Sequence, residues 1–61
     1  MDRDLRVSDV ERAGVVRRLE RALRDGRITV AEFDDRTRAA YAARTRGDLE
    51  TITEDLPRDI W

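Results

Sequence analysis

The sequence predicts an all-α fold, a small bundle of about three short helices. Three observations predict it. Apolar residues recur at spacings of three and four along most of the chain, which places them on single helical faces. Ser or Thr followed three residues later by Glu or Asp occurs at the head of each such run, the signature of a helix N-terminus. Strict alternation of apolar and polar residues, the mark of a strand, extends nowhere beyond a few positions.

The first seven residues read as an extended lead-in, with Leu5 and Val7 as contacts to the core. Ser8 caps the first helix, expected over 9–25, and Glu11 is the reciprocal acid of a capping box. Val15, Val16, Leu19, Ala22 and Leu23 share its apolar face. Asp25-Gly26 ends it, because glycine takes the left-handed conformation that closes a helix C-terminus. Arg27 and Ile28 make the connection.

Thr29 caps the second helix, expected over 30–44, with Glu32 as its partner. Its apolar positions are Val30, Phe33, Ala40 and Tyr41, with Thr37 on the same side. Residues 39–43 are mostly small and would let another helix come close. Thr45 and Asp48 begin the third helix, expected over 46–55, whose apolar face is Leu49, Ile52, Thr53 and Leu56. Pro57 stops it, since proline cannot continue a helix interior. Residues 1–57 therefore form one domain, and 58–61 are a tail or the start of a linker. The expected core is Val16, Leu19, Leu23, Ile28, Phe33, Tyr41, Leu49, Ile52 and Leu56.

Composition excludes several chemistries. The chain has 61 residues, with neither cysteine nor histidine. Disulfides, zinc fingers and Ser–His–Asp or Cys–His nucleophiles therefore have no residues to build them. A domain this small buries only about 60% of the surface of its unfolded chain and has little lining to spare for a substrate pocket. The expectation is a protein that is not an enzyme and needs no cofactor or metal. Thirteen basic residues, all Arg, meet fourteen acidic ones, a net charge of −1 that gives no general pull on nucleic acid or anionic lipid. No apolar run approaches the roughly 18 residues of a membrane span, and no signal peptide opens the chain, so a cytoplasmic location is expected. Contact with a membrane would come only through a longer parent protein.

The ordered motifs carry a family resemblance. They are Arg6-Val7-Ser8-Asp9, Leu19 with Ala22, Asp25-Gly26-Arg27-Ile28 and Glu32-Phe33-Asp34, then Ala40-Tyr41-Ala42-Ala43-Arg44-Thr45, Asp48-Leu49 and Asp55-Leu56-Pro57. Together they span residues 6–57, and the chain resembles the SHOCT-like domain of unknown function found at the N-terminus of many actinobacterial proteins. An Arg-rich composition agrees with that source. Gly14 departs from the family pattern, which more often has a helix-favouring residue there; glycine costs roughly 1 kcal/mol against alanine inside a helix. The resemblance implies no catalytic residues. It implies an accessory module for interaction or oligomerisation.

The candidate contact residues are Arg17, Arg21, Arg24, Tyr41 and Trp61. Arg17, Arg21 and Arg24 share a face of the first helix, either as a row for phosphate or as a solvated face threaded with Glu20. The charge balance favours the solvated face. Asp34 and Asp35 point about 100° apart, which suits an ion pair with an Arg better than a shared metal. Arg46-Gly47-Asp48 spells an adhesion tripeptide by chance, in a first helical turn. The leading reading is a module for a protein partner or for a second copy of itself, a homo-oligomer. The alternative is a nucleic-acid module using the arginines of the first helix.

Overall fold

A computed structural model describes residues 6–56. Three helices follow one another: α1 (Asp9–Arg24), α2 (Val30–Ala42) and α3 (Arg46–Thr53). Each packs against both of the others. The expected ends ran one to two residues too far, because each helix closes before its last expected residue. Pro57, the tail over 58–61 and Leu5 lie outside the described residues.

All three capping boxes form. The hydroxyls of Ser8, Thr29 and Thr45 accept from the backbone N–H groups of Glu11, Glu32 and Asp48. Each acid reaches back to the backbone N–H of its cap. Donors that no carbonyl of their own helix can reach are thus satisfied. At the other end of α1, Gly26 adopts φ 74°. Its N–H donates to Leu23 O (3.1 Å), and that of Arg27 donates to Ala22 O (2.8 Å). This is the paired closure of a Schellman motif, and it delivers Ile28 into the core beside Ala22.

The core has two adjoining parts. Leu19, Ala22 and Ile28 form one, with Val15, Leu23, Phe33, Ile52 and Leu56 packed against it. Ala40, Ala43 and Leu49 form the other, with Val7, Val15, Val16 and Ile52 around it. Leu19 is the largest fully buried side chain. The small residues Ala40 and Ala43 do admit close neighbours, but those neighbours belong to the same chain.

Tyr41 corrects one expectation: it is 64% exposed and not part of the core. Val30, expected on the same apolar face, is 72% exposed. The buried side of α2 is centred on Phe33, Arg36, Thr37 and Ala40, and Val30 and Tyr41 fall on its outer edge. Apolar residues alone place that face too far round, because half-buried Arg36 is part of the buried side.

The lead-in also does more than approach the core. Val7 N–H donates to Arg44 O (3.1 Å), and Arg6 pairs antiparallel with Thr45 as an isolated bridge. The start of the chain thereby straps the corner between α2 and α3.

Candidate functional site

The arginines divide into two sets with different work. Arg17 and Arg24 are exposed on the outer side of α1, with Arg21 half-buried between them and Glu20 exposed among them. Arg21 and Arg24 lie in the last turn, where positive charge complements the carbonyl end of the helix. Arg17 NH2 lies 3.8 Å from where a Cβ on Gly14 would be, an ordinary van der Waals distance, so the space beside Arg17 does not require a glycine at this position.

The second set clasps helices together. From α1, Arg12 donates to the carbonyl of Ala43 (2.9 Å) and pairs with Asp9 (2.7 Å). Arg18 donates to the hydroxyl of buried Thr53 on α3 (3.1 Å). From α2, Arg36 donates to Ile52 O (3.1 Å) and grips Asp55 with two bonds of 2.8 and 2.9 Å. From α3, Arg46 Nε donates to Glu11 Oε2 on α1 (2.8 Å). Sequence reasoning missed this set. Its signal is spacing: Arg12 with Val15, Val16 and Leu19, and Arg36 with Phe33 and Ala40, fit the three-and-four pattern of a buried stripe. Long aliphatic stems let arginine border a core while the guanidinium reaches a polar partner.

Helix caps and the Arg36 pair together lower three carboxyls. The hydrogen bonds and charge of Arg36 hold Asp55 below its ordinary value. The N–H of Ser8, with help from Arg46, lowers Glu11. The N–H and hydroxyl of Thr29 lower Glu32. Arg36 in turn is raised, chiefly by its bonds to Asp55.

The remaining candidates do not gather into one place. Tyr41 belongs to α2 and not to the arginine row of α1, while Trp61 lies outside the described residues. Asp34 pairs with Arg38 one turn on (3.2 Å), as its position suggested. Within Arg46-Gly47-Asp48, Arg46 is bound to Glu11, Gly47 is buried and Asp48 is the reciprocal acid of the Thr45 cap. That turn is part of the fold. Among the described residues no three acids are placed to hold a metal ion. No described helix is long and apolar enough to cross a membrane.

An open groove of about 400 Å³ runs between α2 and α3. Asp35, Arg36 and Ala39 line it from α2, and Thr51, Ile52, Glu54 and Asp55 from the other side. The floor is apolar at Ala39 and Ile52, and the rim is acidic.

A family model described as the DUF1707 SHOCT-like domain matches residues 5–57. Two relatives from Mycobacterium tuberculosis are similar. The uncharacterized protein Rv0966c is 36% identical over 56 residues, which is 92% of this chain and 28% of that protein. The uncharacterized protein Rv0048c is 41% identical over 51 residues, 84% of this chain and 18% of that protein. The chain thus spans less than a third of the length of either relative. No solved structure matches.

Proposed function

The chain belongs to the DUF1707 SHOCT-like family, and from that premise we propose that it is a non-catalytic protein-interaction module, an accessory or regulatory unit acting in the cytoplasm. The observation that carries this reading is the exposure of Tyr41, 64%, beside a core that is complete without it. Aromatics anchor interfaces, because they bury much area at little entropic cost. Val30 shares the outer edge of α2 with Tyr41, and Val10 on α1 is 78% exposed. The much greater length of the two relatives fits a unit that serves a larger protein.

Acid chemistry fits a non-catalytic role. A general acid needs a carboxyl whose pKa is raised toward neutrality. Glu11, Glu32 and Asp55 are all displaced downward, by helix caps and an ion pair. They are held ionised for structural ends.

The test is affinity capture with the tagged chain from an actinobacterial lysate, with and without nuclease. A specific protein that survives nuclease supports the reading. Recovery that vanishes with nuclease overturns it in favour of nucleic-acid binding through Arg17, Arg21 and Arg24.

A further inference from the structure

The groove between α2 and α3 presents two carboxylates over an apolar floor, Asp35 from α2 and Glu54 from the end of α3. Both are exposed, and neither enters an ion pair among the described residues. The third acid of the groove, Asp55, is held by Arg36. Negative charge in the groove is therefore in surplus where Asp35 and Glu54 stand.

We propose that this groove receives the arginine row of α1 from a second copy of the same chain. The proposal rests on the interaction-module reading and gives it a partner. Charge complementarity favours that occupant. Helix α1 carries Arg12, Arg17, Arg18, Arg21 and Arg24 against Asp9, Glu11 and Glu20. From Arg46 to Asp55 the balance reverses, with one arginine against Asp48, Glu50, Glu54 and Asp55. The whole chain is nearly neutral at −1, so two copies meet without general repulsion while their unlike faces attract.

The chemistry of the row suits the groove. Arg17 and Arg24 are exposed and seven residues apart on one side of α1, about 10 Å along the axis. Their guanidinium forks match carboxylates in two-pronged fashion. The groove already contains one such pair in Arg36 and Asp55. The aliphatic stems of the incoming arginines would lie over Ala39 and Ile52.

A single row seated in a single groove joins two unlike patches without a reciprocal contact, so the association is heterologous. A pair so joined leaves the groove unused on one copy and the row unused on the other, and growth continues past the dimer. Because the charges are exposed, the association is weak and salt-sensitive.

Sedimentation equilibrium of the full chain tests this, over concentrations from about 10 µM to about 1 mM in low and high salt. The expected mass climbs beyond twice 7.1 kDa in low salt and returns to 7.1 kDa in high salt. Two neutral double variants sharpen the test, Arg17→Gln with Arg24→Gln, and Asp35→Asn with Glu54→Gln. Each alone stays monomeric and keeps its helical melting transition. Mixed, they regain one productive contact and stop at the dimer. Variants that associate as the wild type does, or a wild type indifferent to salt, overturn the proposal. A wild type that stays at 7.1 kDa throughout also overturns it. The interaction-module reading falls with it only if nuclease-treated capture recovers no protein.

Discussion

The guanidinium of Arg36 closes on the carboxylate of Asp55 with two bonds of 2.8 and 2.9 Å, and its NH1 also donates to the carbonyl of Ile52 at 3.1 Å. One side chain thus ties α2 both to the last turn of α3 and to the second residue beyond it. The two partners are not equivalent. Asp55 is largely exposed and can turn to water, whereas the Arg36 side chain is only 22% exposed and lies against the core.

Replacing Arg36 therefore harms the fold more than replacing Asp55. Arg36→Met keeps the aliphatic cover but strands the Ile52 carbonyl, and the expected loss is about 5 °C in Tm. Asp55→Asn leaves that carbonyl bond in place and lowers Tm less. Thermal unfolding followed by circular dichroism gives the order, and equal losses would mean that the ion pair alone matters.

Leu19 is the side chain on which the fold most depends. It is fully buried, at the contact of all three helices' apolar residues through Ile28, Phe33, Ile52 and Leu56. Leu19→Ala should cost about 2–5 kcal/mol, enough to abolish cooperative melting in a domain of this size. Phe33, half-buried at the edge of the same cluster, should cost less on truncation. Urea titration of the two variants checks the ranking.

Acid weakens the fold through three named groups. Glu11 and Glu32 lie below their ordinary value of 4.5, and Asp55 below 3.8, in the folded chain. The unfolded chain then binds protons more readily, so stability rises with pH across this range. The contribution is complete above those ordinary values and is lost as pH falls through the lowered ones. Combining Glu11→Gln, Glu32→Gln and Asp55→Asn should flatten this acid limb in a urea series against pH. An unchanged limb would assign it to other carboxylates.

The helix heads and the turn at Gly26 were readable in the sequence because they are local. Three capping boxes and one left-handed glycine depend on residues three or four apart, and each formed as expected. Tyr41 was misplaced because burial depends on where the other helices lie, and α1 and α3 both approach α2 on the side of Phe33 and Ala40. The partners of Arg12, Arg18, Arg36 and Arg46 are not legible for the same reason. They lie up to 35 residues away, and an arginine within an apolar stripe looks like any surface charge until its partner is known. The arginine row of α1 was legible as a row, but the groove between α2 and α3 exists only once the helices are assembled.

The separation of Tyr41 from the core can be put to direct trial by repeating the nuclease-treated capture with Tyr41→Ser beside the wild type. The predicted result is a variant that melts as the wild type does, within about 2 °C, and no longer retains the captured protein. A variant that loses its cooperative transition would show that Tyr41 belongs to the core after all. One that melts normally and captures the same protein equally well would contradict the contact role assigned to this side chain.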